Sequence, residues 1–435
     1  MRNAVLLGLS GLIAVAAINA ACSADGEGNG FENDSGADDT GDGSGGSAST
    51  LGVGGFDPGT GGSGAGPCAS TDPGSDADGD GFNPPEDCND CDPNINPGAI
   101  EVVVTEPDMN GNIPAPADED CDGTADNPPP PCDDGIALED ADARNGARAI
   151  DLCQDANDVS YGVMSAAYVR ANGDPMGANV GVGIFDGFGP GVSVQVGARM
   201  LAISSGTARL PGHPQACSDN FCETIGAGSA PAGFPQNAQG CPAPEDSIQD
   251  DVGFQVQLRA PTNATGYKFL FKFYTLEHAE WVCTPFNDQF MAWVDPPPAG
   301  AMDGNISFDS AGNPVSVNVA FFDVCDPNLD DWAYECPAWG GNCPPKPSPY
   351  CPAGTAELMG NGFLDAFGSG EEDGGATTWL QTTAPITGGD VFTIRFAVWD
   401  TSDQWWDSTT LIDGFTWLAT GGSVDVETGE IPDPK

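Results

Sequence analysis

The chain has 435 residues, including 61 glycines and 38 prolines, and a formal net charge of −53. Only 12 residues are Lys or Arg, which makes nucleic acid a poor partner because phosphate neutralisation requires basic side chains. The charge also disfavours basic attachment to anionic lipid. It suits an exposed protein that meets divalent cations outside the cell.

The cysteine content predicts an oxidising compartment, because cytosolic proteins rarely carry 15 cysteines. Cys22 follows an apolar leader, and 15 − 1 leaves an even set of 14 for disulfide pairing. Only Cys88 and Cys91 have C-x-x-C spacing, without a second such pair, so the competing zinc interpretation has weak support.

Residues 1–21 have the pattern of an export signal, with Arg2 before an apolar run and small residues at its end. Ala20-Ala21-Cys22 resembles a bacterial lipobox, although Asn19 stands where that pattern prefers Leu. The resemblance implies lipidation of Cys22 and anchoring of a surface-exposed lipoprotein to the outer membrane. Simple secretion is the alternative.

Residues 22–67 are rich in Gly, Ser, Asp and Thr and nearly lack aromatic and branched side chains. Such a segment cannot bury enough apolar surface to offset the entropy of ordering. It is therefore predicted to be a disordered tether.

The segment 68–131 is predicted to be a small, loop-rich calcium-binding module. Its first loop places carboxylates at positions one, three, five and twelve, a glycine at six and a backbone carbonyl at seven, as calcium loops do. These are Asp76, Asp78, Asp80, Asp87, Gly81 and Phe82. A disordered acidic stretch is the alternative.

A second opening of the same kind comprises Asp118, Asp120 and Asp122, but position twelve is Pro129. This loop is incomplete alone, and sharing a site with the first loop is one way to complete it.

The acidic segment resembles the MopE-type metal-binding repeat of secreted bacterial proteins. The matching stretches are Glu86-Asp87-Cys88, Asp92-Pro93, Asn96-Pro97-Gly98-Ala99, Glu101 and Asp120-Cys121-Asp122-Gly123. Cys91 and the pair Val102-Val103 depart from the pattern. The family name is associated with copper, but hard oxygen donors with only Met109 nearby favour calcium.

Residues 150–420 are predicted to form an all-β, lectin-like or jelly-roll sandwich, entered by one short helix within 137–156, while 421–435 form a C-terminal tail. Short runs of β-branched and aromatic residues recur along this region. Phe269, Phe271 and Phe273 alternate with Lys268 and Lys272, which predicts a sheet with one buried and one solvated face.

Two predicted strands, 391–399 and 411–418, flank an acidic connection that contains Asp400, Asp403 and Asp407. Gathered carboxylates repel one another unless a cation lies among them. We expect Asp288, Asp407 and Asp413 to converge on a second calcium site. The alternative is a solvated loop whose aspartates favour turns.

The same region resembles the choice-of-anchor L domain of bacterial surface proteins. The matching residues are Ile203-Ser204-Ser205-Gly206, Glu277-His278-Ala279-Glu280-Trp281-Val282, Phe286-Asn287-Asp288-Gln289-Phe290, Val315-Ser316-Val317-Asn318, Phe396-Ala397-Val398-Trp399-Asp400, Asp407-Ser408 and Leu411-Ile412-Asp413-Gly414-Phe415. The resemblance implies surface display and no established activity.

The favoured function is adhesion or binding of a ligand, which is carbohydrate or another surface protein. Trp405 and Trp406 could stack on sugar rings, whereas packing in the core is the ordinary role of Trp. One alternative is a polysaccharide hydrolase that uses Glu277 and Glu280. A purely structural envelope protein is another. No catalytic residue is assigned under the favoured interpretation, which is not that of an enzyme.

Overall fold

A computed structural model describes residues 74–435, except 106–110, 114, 128, 178, 218–221, 223–224, 245–246, 279–280, 319–320, 327–350, 365–373, 420–421 and 433. The predicted signal peptide, the lipidated Cys22 and the tether over 22–67 therefore lie outside the described residues. In the part of the chain that is described, no helix is both long and apolar enough to cross a membrane.

The regular secondary structure of the described residues is nearly all β, as predicted. The one described α-helix, α1 (Ala143–Arg148), occupies only the middle of the predicted helical segment. It begins where the Asp142 side chain accepts a hydrogen bond from the Arg144 N–H, which satisfies a free amide of the first turn. The other residues of the segment 137–156 are not part of this helix.

The strands are β1 (Gly162–Val169), β2 (Val182–Phe185), β3 (Met200–Ser204), β4 (Ile248–Arg259), β5 (Gly266–Thr275), β6 (Gln289–Asp295), β7 (Val315–Ser316), β8 (Gly375–Ala376), β9 (Leu380–Pro385), β10 (Val391–Thr401), β11 (Ser408–Leu418) and β12 (Glu427–Glu430). They form two antiparallel sheets packed as a sandwich. The first sheet has the order β1-β4-β10-β6-β7, and the second has the order β12-β9-β5-β11-β3-β2, with β8 beside β5.

Aromatic side chains join the two sheets. Phe269 of β5 meets Phe396 of β10 edge to face, with ring centroids 4.9 Å apart, and Phe271 lies 5.0 Å from Phe290 of β6. Their alternation along β5 is the signal that predicted this buried face. The two strands that flank the acidic connection, β10 and β11, belong to opposite sheets, so the connection crosses one end of the sandwich.

The outer face of the second sheet is not solvated, and this part of the sequence prediction is wrong. The segment that contains the 3-10 turn Ala356–Leu358 covers it and packs Leu358 and Phe363 against Tyr274 and Trp379. Lys272, predicted to face water, is fully buried. Alternation along a strand cannot reveal that a distant loop folds over the polar face.

The acidic module contacts the turn between β4 and β5. The Asn263 side chain accepts a hydrogen bond from the Ile100 N–H and donates one to the Ile100 carbonyl. The Thr262 N–H donates to the Gly98 carbonyl, and the close approach leaves a Cβ on Gly98 only 2.9 Å from the Thr262 methyl group. These contacts fix residues 96–100 against the sandwich.

The C-terminal segment that was predicted to be a tail contributes a strand to the sandwich. The predicted tail, 421–435, contains β12, which pairs with β9 at the edge of the second sheet. Its residues, Glu-Thr-Gly-Glu, carry no apolar alternation, because an edge strand needs only backbone hydrogen bonds to join a sheet.

Described disulfides connect Cys88 with Cys121, Cys132 with Cys153, Cys217 with Cys222, Cys241 with Cys283, and Cys325 with Cys351. The first bridge joins the two acidic loops. Cys217 and Cys222 pair locally, whereas Cys241 bonds to Cys283 in the segment between β5 and β6.

The buried Lys272 offers a test of how the covering segment is held. Its ammonium lies 2.5 Å from a Glu357 carboxylate oxygen and also donates to the Thr377 carbonyl. Burial lowers the pKa of Lys272, and the adjacent Glu357 opposes that shift. Because Glu357 retains some exposure, we expect Glu357→Gln to lower the free energy of unfolding by about 2 kcal/mol, less than for a fully buried pair.

Urea unfolding of Glu357→Gln and Lys272→Met measures this effect. Lys272→Met removes the buried ammonium group itself, so no unpaired charge remains inside the sheet. We therefore expect it to change the free energy of unfolding by less than about 1 kcal/mol. Lys268→Met, on the same strand, is the control. A larger loss for Lys272→Met than for Glu357→Gln would contradict the explanation.

Candidate metal-binding sites

The first acidic loop is closed by its own first aspartate. Asp76 accepts hydrogen bonds from the Gly79 and Gly81 N–H groups, at 2.6 and 3.1 Å. Gly81 has φ +97°, a conformation that side-chain-bearing residues rarely adopt, which explains the glycine at position six. Asp80 accepts from the Phe82 N–H. The backbone thus wraps around the carboxylates of the loop.

Two carboxylate triads lie in this loop. Asp78, Asp80 and Asp87 each offer an oxygen, with these atoms within 4.8 Å of one another, and Asp76, Asp78 and Asp90 form a second such group. Asp78, Asp80 and Asp87 each keep one buried oxygen that accepts no hydrogen bond of normal geometry. Asp87 is only 3% exposed. Such a set of hard oxygen donors has the chemistry of a calcium or magnesium site.

Asp90 is a member of the loop that the twelve-residue pattern does not include. One of its oxygens accepts a hydrogen bond from the Ala77 N–H at 2.7 Å, which brings it back onto the start of the loop. The sequence carries no spacing signal for it, because the contact depends on the path of residues 83–90 rather than on a fixed interval.

The carboxylates of the loop are difficult to ionise together. Desolvation raises the pKa of Asp78, Asp80 and Asp87, and neighbouring carboxylates raise it further. A bound cation would reverse both effects, since it replaces the lost hydration and attracts the negative charges.

The second loop takes the third carboxylate of its triad from outside the loop. Asp118 and Asp120 form a triad with Glu101, while Glu101, Glu119 and Asp126 form another. Among the described triads, none combines residues of the two loops. Glu101 lies before the loop in sequence and accepts from the Asp120 and Asp126 N–H groups. A search confined to a loop pattern therefore does not find it.

Asp122, predicted as a ligand, belongs to neither triad. Its oxygens accept from the Thr124 N–H and the Asn127 side-chain amide, at 2.8 Å each. The contact with Asn127 is the main reason that the pKa of Asp122 is lowered. Its role in the structure is to close the turn.

A third group of acids lies at the end of the sandwich where β10 crosses to β11. Glu277 follows β5, Asp288 precedes β6, Asp400 lies near the end of β10, and Asp407 precedes β11. Their residues are 1–8% exposed. Antiparallel connections from four strands thus bring carboxylates from distant parts of the sequence to one place. We refer to these four residues as the end cluster.

Hydrogen bonds fix part of the end cluster. Asp288 accepts from the Thr401 N–H at 2.9 Å and from the Ser408 hydroxyl at 2.8 Å, and its own N–H donates to Glu277 at 3.3 Å. Neither buried oxygen of Asp400 accepts a hydrogen bond of normal geometry, although the Ser205 hydroxyl is near enough to favour its ionised form.

Burial and like charge oppose ionisation throughout the end cluster. Desolvation is the largest cause, and it raises the pKa of Asp288 to about 8. The pKa values of Glu277 and Asp400 lie well above their usual range, with the Asp288 charge as the next cause for both. The oxygens are not gathered as closely as in the triads of the two loops.

Asp413 does not join the end cluster. It lies further along β11, where it accepts from the Gln195 and Val196 N–H groups, and its acidic neighbour is Asp151. Of the three aspartates expected to converge, the structure brings Asp288 and Asp407 together around Asp400. Asp413 is separated from Asp407 by half of a strand, which the sequence interval of six residues already implies.

The tryptophans of the acidic connection differ in exposure. Trp405 is 47% exposed, and its N–H donates to Asp403 in a tight turn. Trp406 is half-buried and has φ +68°. Trp405 is thus available for stacking beside the end cluster.

The carboxylate pair considered for hydrolysis is only half described. Glu277 is 2% exposed and belongs to the end cluster, so a polysaccharide could not reach it without a rearrangement. Glu280 lies outside the described residues.

No family model, curated protein or solved structure matches this chain. The resemblances to the MopE-type repeat and to the choice-of-anchor L domain therefore stay predictions.

The raised pKa values predict an unusual dependence of stability on pH. In a chelator, Asp288 and Asp413, each with a pKa of about 8, hold a proton at pH 5–7 that the unfolded chain does not. Stability must therefore fall as pH rises from 5 to 8, by about 2 kcal/mol or more. Urea unfolding at a series of pH values in EGTA measures this change.

Asp288→Asn retains the shape of the side chain and should flatten the pH dependence. Asp186→Asn removes one exposed charge and should not, so it separates burial from the general repulsion of an acidic chain. Stability that rises between pH 5 and 8 in chelator would show that these carboxylates are ionised without a cation.

Proposed function

We propose that this chain is an exported, calcium-stabilised surface protein whose β-sandwich binds a ligand at the end that carries Trp405. The observation that supports calcium most directly is the facing set of Asp78, Asp80 and Asp87. Each of the three keeps a buried oxygen that accepts no hydrogen bond of normal geometry, and carboxylate oxygens of the three residues lie within 4.8 Å of one another.

The donor set favours calcium over the softer metals. Each triad in the acidic module consists of carboxylates, and Cys88, Cys91 and Cys121 are disulfide-bonded. The chain has only 2 histidines. Copper and zinc prefer imidazole and thiolate, whereas calcium takes six to eight oxygens, with backbone carbonyls and water completing the shell.

Calcium in the module would act on more than one loop. The Cys88–Cys121 bridge joins the two loops, and residues 96–100 between them are bonded to the β4–β5 turn. An ordered module would therefore keep a defined place on the sandwich. Together with lipidation of Cys22 and the tether, this arrangement suits display away from an outer membrane.

Binding of carbohydrate or another surface protein is the role proposed for the sandwich. An exposed Trp beside acidic side chains is the common arrangement for stacking on sugar rings and bonding their hydroxyls. The support comes from the 47% exposure of Trp405 and its position in the acidic connection, two residues before Asp407 of the end cluster. A purely structural role is the competing proposal, and glycan binding distinguishes the two.

Calcium should raise the melting temperature of the wild type. Free calcium at a hundred times its dissociation constant contributes about 2.7 kcal/mol to the folded state. We expect Asp78→Asn with Asp87→Asn to abolish binding at the first loop, because both remove charge from the shared triad. Isothermal titration calorimetry and thermal unfolding, in calcium and in EGTA, measure the effect.

Asp174→Asn with Asp186→Asn is the matched control, because it removes two exposed charges of the sandwich. It should retain the full calcium response. Identical melting curves of the wild type in calcium and in EGTA would reject the calcium proposal.

Trp405→Ala should weaken glycan binding by roughly tenfold, as expected for loss of one aromatic stacking contact of about 1.4 kcal/mol. A glycan array followed by titration of the best ligand measures it. Val391→Ala, an exposed apolar residue at the opposite end of β10, should bind as the wild type does. Absence of any glycan binding by the wild type would favour the structural role.

A further inference from the structure

A cavity of about 400 Å³ lies between the acidic module and the sandwich. The module contributes Ile100, Glu101, Val103 and the prolines 129–131, while the sandwich contributes residues of the helix–β1 connection, of the segment before β3 and of the end of β11. Its size falls within the range of sites for small molecules. Of the carboxylates in the triads of the acidic module, Glu101 is the one that lines it.

Aromatic rings of the sandwich form one wall. Trp417 meets Tyr161 edge to face with centroids 6.5 Å apart, and Phe415 lies 5.1 Å from Trp417. Phe415 is buried, whereas Tyr161 and Trp417 are half-buried and line the cavity. Burial raises the pKa of Tyr161 to about 12, so its hydroxyl stays a hydrogen-bond donor. This wall therefore presents aromatic rings to a ligand in the cavity.

The charged residues of the lining are both acidic. They are Glu101 and Asp151, and no Lys or Arg contributes to the described lining. Asp151 lies near two more buried acids, Asp133 and Asp413. Lys435 is the positive charge that partly offsets their effect on the pKa of Asp151. One oxygen of each of these three aspartates accepts no hydrogen bond of normal geometry. Burial, and then mutual repulsion, raise the pKa of Asp151 to about 7 and that of Asp413 to about 8, so a cation on this side of the cavity would favour their ionised forms and an anion would not.

We propose that this cavity binds an organic cation with an apolar body, such as a ring or short chain that bears an ammonium group. The apolar body would occupy the wall of Tyr161, Phe415 and Trp417, with its ammonium directed to Asp151. An anion is excluded by the acidic lining. A bare metal ion is disfavoured, because the apolar walls offer too few oxygens to replace its hydration shell.

The physical basis is the coincidence of two attractions that an ammonium group uses. An aromatic ring attracts a cation through its quadrupole, most strongly for Trp, and a carboxylate in a partly desolvated place attracts it through charge. Neither attraction favours a neutral ligand of the same shape. Discrimination between charged and neutral isosteres is therefore the property that defines the site.

The test compares three probes of nearly equal size: 2-phenylethylamine, 2-phenylethanol and 3-phenylpropionate. Ligand-observed NMR and calorimetry on the full chain, in calcium, give their dissociation constants. We expect the amine to bind at least about tenfold more tightly than the alcohol, as one charge-assisted contact provides, and the propionate not to bind. Equal binding of amine and alcohol, or no binding of the amine at millimolar concentration, would overturn the proposal.

Variants locate the site. Asp151 has φ +68°, which Asn tolerates, so Asp151→Asn should keep the backbone and remove the preference for the amine. Trp417→Leu should weaken binding of both the amine and the alcohol, the amine more so because it also loses the cation–π attraction, and Asp186→Asn should change neither. A preference for the amine that survives Asp151→Asn would place the binding elsewhere.

The proposal is independent of calcium at the first loop. Asp151, Tyr161 and Trp417 belong to the sandwich, and the wild-type probe series requires no variant to fold. The Asp78→Asn, Asp87→Asn protein should therefore retain the preference for the amine. Loss of that preference in this protein alone would show that the module, rather than the sandwich, creates the site.

Discussion

Repulsion among buried carboxylates is the constraint on which this structure depends. In water, neighbouring aspartates are tolerated because the solvent screens them, but that screening weakens as they are enclosed by protein. Asp288, Asp400 and Asp413 are almost completely buried, and the first loop encloses Asp87. Each group must either hold a proton or have a cation nearby. The protein thus combines a fold of ordinary apolar packing with sites whose charge state sets its stability.

The antiparallel sandwich explains why the acids of the end cluster meet. Because the strands are antiparallel, the connection from β5 to β6 and the connection from β10 to β11 lie at the same end of the sandwich. Residues just after β5, before β6, at the end of β10 and before β11 are therefore neighbours. The Thr401 N–H and the Ser408 hydroxyl fix Asp288, whereas neither oxygen of Asp400 accepts a hydrogen bond of normal geometry. The same geometry places Asp413 elsewhere, because it lies in the middle of β11 and not at its end.

The two acidic loops are built differently, although both bring hard oxygen donors together. In the first loop the chain wraps around aspartates at alternate positions, and two glycines with positive φ allow the turn. In the second loop Glu101 arrives from outside and accepts hydrogen bonds from the loop backbone. The Cys88–Cys121 bridge holds the two close to each other, and Asn263 and Thr262 fix them to the sandwich.

The sequence alone determined the all-β class, because alternating aromatic and β-branched residues leave a strand only one way to bury them. It also determined the first acidic loop, whose carboxylates follow at fixed local intervals. Only the tertiary structure decided the roles of Asp90, Glu101 and Asp400 and the burial of Lys272. These depend on which distant segments fold together, and spacing along the chain carries no record of such contacts.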